Sequence, residues 1–198
     1  MKPISPIRPS PIAGTWYDSR PKQLAAEIDD YLDDAVLPVL DGDVVAVIAP
    51  HAGYRYSGAV AGHAFAAVRN MDFDLVAVLS PLHAFHPAAF ITSSHMAYKT
   101  PLGNISIDRD AVSALNASLR TELGFGLETI ARDDEHSLEI ELPFLQRALS
   151  SDFSLLPIMI RSVDVAELEV LGKALANLLR GRNALIVVST DLSHFYTQ

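Results

Sequence analysis

Three times along the chain a short run of aliphatic residues stops at a polar turn that leads to a histidine. The stretches are "VVAVIAPHAGY" (44–54), "LVAVLSPLH" (75–83) and "ALIVVSTDLSH" (184–194). Runs this short and without polar alternation belong to strands covered on both faces, which is the signature of a parallel sheet. Between the first two, "SGAVAGHAFAAVRN" (57–70) reads as a helix rich in small residues. Together they form a βαβ unit, whose crossover is right-handed. Open α/β sheets bind ligands outside the carboxyl ends of their strands. If the three strands are parallel neighbours, His51, His83 and His194 converge on that edge, with Asp191 beside them.

The rest of the chain fits the same architecture. Pro3, Pro6, Pro9 and Pro11 make residues 1–12 an extended arm, docked at "AGTWYDS". A helix capped by Ser19 is expected from about 21 to 37. Further strands are expected at 88–93, 103–108 and "FSLLPIMI" (153–160), and helices at about 110–120 and 135–149. Pro143 should bend or break the latter. Asp164 and Glu167 form a capping-box pattern at the head of a helix to Arg180, ended by Gly181. The Gly58–Gly62 spacing signals close helix packing. The alternation predicts one α/β domain over 1–198, a three-layer sandwich around a mostly parallel sheet.

Composition narrows the function. A net charge of −9 argues against nucleic acid or an anionic membrane as partner. No run reaches the roughly 18 apolar residues of a membrane span, and the N-terminus lacks an apolar signal core, so a cytoplasmic setting is expected. With no cysteine in the sequence, thiolate catalysis and thiolate metal sites drop out. The serine-hydrolase elbow, the phosphate loop, the dinucleotide fingerprint and the HExxH zinc motif are all missing.

Histidines then carry the chemistry. Neutral imidazole suits iron, zinc, copper and nickel, and two histidines with a carboxylate form the facial set of non-haem iron oxygenases. A second constellation is "DDEHSLEIELPFLQ", where Glu135, His136 and Glu139 share the head of an expected helix. Glu135 or His136 there is a partner behind a ligand, or a proton carrier. His63 reads as structural, His86 as an outer group and His95 as a solvated loop residue. Trp16 and Tyr17 read as packing anchors of the arm or as lining of the pocket.

The ordered motifs "AGTWYD", "PHAGYRYSG", "SPLH", "TPLGNISID", "DEHSLEIELPFLQ" and "STDLSHF" resemble those of the Memo family, which includes the prokaryotic AmmeMemoRadiSam system protein B. The resemblance implies a fold like that of class III extradiol dioxygenases of the LigB type and a cleft that binds iron or copper, with zinc also accommodated. It implies His51 and His83 as metal ligands and His194 as an acid/base group. Asp191 and Glu135 would orient the histidines or substitute as the third ligand. It also implies AMMECR-type and radical SAM proteins as partners, and a chain that is short at its C-terminus, since family members continue past His194 to a cysteine proposed as a ligand.

Three functions follow as expectations. The first is a non-haem iron redox or oxygenase role, with His194, Asp191, Glu135 and His136 as catalytic groups. The second is an adaptor that binds a peptide or protein in the same cleft through Trp16, Tyr17 and Tyr54. The third is metal-dependent hydrolysis.

Overall fold

The computed structural model describes residues 5–191. The arm contributes a short strand, β1 (Ile7–Arg8), before helix α1 (Pro21–Asp33), strand β2 (Ala46–Ala49), helix α2 (Tyr54–Ala66) and strand β3 (Leu75–Pro81). Three short strands follow, β4 (Phe90–Ser93), β5 (Ala97–Thr100) and β6 (Gly103–Ser106), then helix α3 (Arg109–Leu123) and β7 (Glu128–Ile130). The last elements are α4 (Leu142–Ala148), β8 (Ser154–Ile160), α5 (Val165–Leu179) and β9 (Ala184–Ser189).

Six strands form the main sheet in the order β2-β9-β3-β8-β4-β7. The first four run parallel, whereas β4 is antiparallel to β8 and parallel to β7, so the sheet is mixed. The crossover from β2 to β3 and the crossover from β8 to β9 move in opposite directions across the sheet. Right-handed connections therefore send α2 and α5 to opposite faces. The helices divide accordingly, α1, α2 and α4 packing on one another and α3 packing on α5. This arrangement is consistent with three α/β/α layers.

The contact between α1 and α2 is explained by two glycines. A Cβ at Gly62 would lie 2.5 Å from the Tyr31 carbonyl oxygen, and one at Gly58 would lie 2.5 Å from the Tyr31 ring. The Gly58–Gly62 spacing thus lets α1 lie directly on α2, and α2 in turn covers β2. Gly53 does the same for the arm: a Cβ there would sit 3.3 Å from the Trp16 carbonyl oxygen, which accepts the Tyr54 N–H at 2.9 Å.

Several expected boundaries move. Helix α1 stops at Asp33 rather than 37; Leu37 precedes Pro38, and a residue before proline is disfavoured in helical conformation. Its N-cap is Arg20, not Ser19, and the Asp18 carboxylate accepts the Arg20 N–H at 2.8 Å. The expected helix over 135–149 is replaced by a 3₁₀ turn, Glu139–Glu141, followed by α4. Pro143 lies in the first turn of α4, where its missing N–H costs nothing; it starts this helix instead of breaking it. "GNISID" joins a separate sheet of order β1-β5-β6, although Ile107 still bridges to Leu155 of β8.

Candidate functional site

Because β9 lies between β2 and β3, the carboxyl ends of these three strands are adjacent. Each continues straight into a turn: Pro50-His51 after β2, Leu82-His83 after β3 and Thr190-Asp191 after β9. The loop before the 3₁₀ turn brings Glu135, His136 and Ser137 to the same edge. His194 lies outside the described residues.

One ring nitrogen each from His51, His83 and His136 lies within 4.8 Å of the others, and this is the one such cluster of potential ligands among the described residues. The His83 and His136 rings stack at 4.6 Å between centroids, while His51 meets both edge-on at 5.4 and 5.6 Å. His51 is 5% exposed, and the His83 side chain is 49% exposed. The group therefore has a buried wall and an open side. That side faces a cleft of about 780 Å³ bordered by Pro9, Leu82, Phe85, Ile130 and the His83 and His136 rings.

Glu135 holds two of the rings. Its carboxylate accepts the His83 N–H at 2.6 Å and the His83 Nδ1–H at 2.9 Å. It also accepts the N–H groups of His136 and Ser137, both at 3.0 Å, and lies 3.4 Å from His136 Nδ1. Burial alone would push this carboxyl up, but the Ser137 and His83 donors outweigh it and hold it at about 2. An ionised carboxylate only accepts, so His83 carries its proton on Nδ1 and presents the Nε2 lone pair.

His51 reaches the same tautomer by another route. Ser189 Oγ donates to the Ser137 carbonyl oxygen at 2.5 Å. Its single proton is then spent, so it accepts from His51 Nδ1 at 3.1 Å and leaves His51 Nε2 free. Asp191 accepts the His51 backbone N–H at 2.8 Å, and its other oxygen lies 3.7 Å from His51 Nε2. A carboxylate thus sits beside the position a cation would take. Burial lowers the pKa of both His51 and His136; the carboxylates of Asp191 and Glu135 respectively oppose the shift, and neighbouring imidazoles add to it. Both rings are therefore neutral at neutral pH and available as donors.

The residues read from the sequence divide as follows. Glu135 stands behind His83 at its Nδ1, Asp191 accepts the His51 backbone N–H and flanks its Nε2, and the third ring of the cluster is His136. Trp16 stacks on His136 at 4.0 Å, so the arm reaches the cluster. The Tyr17 and Tyr54 hydroxyls turn inward, to Glu139 at 2.7 Å and to the Ile140 carbonyl at 2.8 Å. His95 is not solvated: it is buried, with its ring between the Ser5 and Ala131 carbonyl oxygens at 2.7 and 3.0 Å. His63 is exposed on α2, and its Nδ1 contacts the Ala59 carbonyl. The sequence reading missed Ser137 and Ser189, whose hydroxyl contacts carry no local signature, and Arg8, which is described below.

Fold and cluster together define an α/β protein with a candidate metal centre at the carboxyl edge of its sheet. A family model described as Memo-like protein matches residues 8–198, and the chain belongs to the Memo family. It is 31% identical over 191 residues to a MEMO1 family protein of Methanosarcina barkeri, covering 96% of this chain and 68% of that protein. It is also 31% identical over 186 residues to Protein MEMO1 of Danio rerio, covering 92% of this chain and 61% of that protein. A memo-1 homolog of Caenorhabditis elegans is 30% identical over 186 residues, covering 92% of this chain and 51% of that protein. The chain thus spans about two thirds of the archaeal relative and roughly half to two thirds of the animal ones.

Proposed function

We propose that this chain is a metal-binding Memo protein in which His51, His83 and His136 hold a divalent transition ion, iron(II) by preference, in a dioxygenase-like cleft with a redox or oxygenase role. One observation carries the reading: three imidazoles meet within 4.8 Å, each with Glu135, Asp191 or Ser189 beside it. Hydrogen-bonded partners of this kind orient metal-ligating histidines and raise their basicity. Nitrogen donors suit iron, copper and zinc and not magnesium or calcium. Metal–nitrogen bonds of about 2.0–2.1 Å require the ring atoms to draw in to roughly 3 Å, a small rotation for the exposed His83 ring. Bound there, an iron ion would supply one-electron redox and Lewis-acid chemistry. The protein's own part is to fix the rings, keep His51 and His136 neutral and offer apolar walls to an incoming molecule. Membership of the family supports the resemblance of this cleft to that of the LigB-type dioxygenases.

The test uses the single tryptophan of the sequence, which stacks on His136. Anaerobic titration of the metal-free chain with iron(II) should quench Trp16 fluorescence and saturate at about one ion per chain, since one cluster offers one ligand set. His51→Ala and His136→Ala should each abolish saturable binding. Full metal uptake by His136→Ala would remove the third ligand from the reading. Peptide capture by the cleft that survives chelation would instead favour the adaptor role.

A further inference from the structure

The cleft beside the three rings holds a further histidine that metal binding does not use. His86 follows His83 by three residues on the turn that leaves β3, is half-buried and lines the same cleft. Its Nδ1 accepts the Ala88 backbone N–H at 3.2 Å. A ring nitrogen that accepts carries no proton, so the ring proton of His86 lies on Nε2. No described residue accepts that proton.

A fixed N–H donor without a partner in a cleft wall is complementary to an oxygen acceptor. The charges around it decide which kind. Asp133 and Glu135 also line the cleft, but both are engaged, Asp133 by Arg8 at 2.5 Å and Glu135 by the His83 N–H at 2.6 Å. Arg132 and Asp134 are exposed in the lining and form no ion pair with any described residue. Their charges offset each other, and exposed charges are worth little singly, so the half-buried N–H decides. It bonds a carboxylate about twice as strongly as a neutral carbonyl. Arg132 adds donors for the same oxygens, which Asp134 has none of to offer.

Reach and shape set the rest of the molecule. Three residues of chain span at most about 11 Å, so His86 stands about one ring's length from the His83 turn. Phe85 lies between the two histidines in sequence, lines the cleft and is 86% exposed, which offers an aromatic face for stacking.

We propose that the cleft takes a small carboxylic acid with a planar apolar body, its carboxylate on His86 Nε2–H and its ring against Phe85, so that its far end reaches the histidine cluster. The proposal rests on the metal reading for that far end; the carboxylate site itself stands on the His86 contacts.

The test uses the full chain loaded with zinc(II), a redox-inert probe, and two hydroxamates that chelate metal at one end of a ring. Benzohydroxamate has nothing at the other end, whereas 4-carboxybenzohydroxamate carries a carboxylate there. By calorimetry the carboxylated probe should bind about tenfold more tightly, the scale of one hydrogen bond to a charged group. His86→Phe keeps a ring and removes the donor, and it should bring the ratio of the two affinities close to one. Equal affinities in wild type, or no binding of either probe to the zinc-loaded chain, overturn the proposal and leave the metal reading standing. A ratio that persists in His86→Phe and is lost in Arg132→Gln assigns the carboxylate to Arg132 and also overturns it. Wild type that binds no zinc overturns the metal reading, and the proposal falls with it. The wild-type comparison needs no variant, so it decides even if His86→Phe does not fold.

Discussion

Glu135 concentrates most of the site's hydrogen bonds in one carboxylate, and this makes its ionisation visible in stability. Its folded pKa of about 2 lies below the ordinary carboxyl value of 4.5. A depressed carboxylate contributes stability that is complete above the unfolded pKa and is lost as pH falls through the folded one. The window therefore runs from about 4.5 down to about 2, and the full contribution is of order 3 kcal/mol at 1.36 kcal/mol per unit. Urea unfolding of wild type and Glu135→Gln across this range should show a gap that is widest at neutral pH and closes as pH nears 2. A gap independent of pH would mean that Glu135 acts by packing alone. At this scale the sequence was partly legible. His51 and His83 announce themselves because each ends a buried strand, and strand ends are where open sheets bind ligands. His136 was read as a catalytic group of the same site, but its place as the third ring of the cluster was not legible, since it comes from a loop that local pattern assigned to a helix. The roles of Ser137 and Ser189 are set by contacts across more than 50 residues of chain, such as Ser189 to Ser137, which no spacing encodes.

Among the elements, the N-terminal arm depends on a residue that its proline-rich sequence obscures. Arg8 of β1 is 1% exposed, yet it pairs with Asp133 and Glu139 at 2.5 Å each and donates to the Glu135 carbonyl at 2.8 Å. Its guanidinium also lies 4.8 Å from the centre of the Tyr98 ring. Three anchors, two ionic and one aromatic, thus tie the arm to the loop that carries Glu135 and His136. Removing one partner of a buried pair leaves uncompensated charge and costs about 3–5 kcal/mol. Arg8→Met should lower the unfolding free energy by that amount in denaturant titration. It should also loosen the loop, read as faster amide exchange at Glu135–Ser137. A change below about 1 kcal/mol, the worth of an exposed pair, would show the arm to be dispensable. The periodic helices and the apolar parallel strands were readable because their burial pattern repeats. The short strands β1, β5 and β7 were not: two to four residues carry no period, and pairing alone defines them.

For the whole molecule, the candidate ligands stand at positions 51, 83 and 136 and meet only when β2, β3 and the loop before α4 are assembled. The unfolded chain holds them far apart, so metal affinity is confined to the folded state and must appear as stability. A ligand that binds only the native state adds RT ln(1 + [L]/Kd), about 2.7 kcal/mol at a hundredfold excess over Kd. For a domain of this size each kcal/mol moves Tm by about 2–4 °C, so saturating metal should raise Tm by about 5–10 °C. Chelator should reverse the shift, and His51→Ala should not show it. An equal rise in His51→Ala would place the binding elsewhere on an acidic surface of net charge −9, where exposed carboxylates attract cations without a defined site. Salt separates the two cases as well. Surface attraction fades within a Debye length of about 8 Å at physiological ionic strength. Coordination by imidazoles, His51 among them buried against Ser189 and Asp191, should persist.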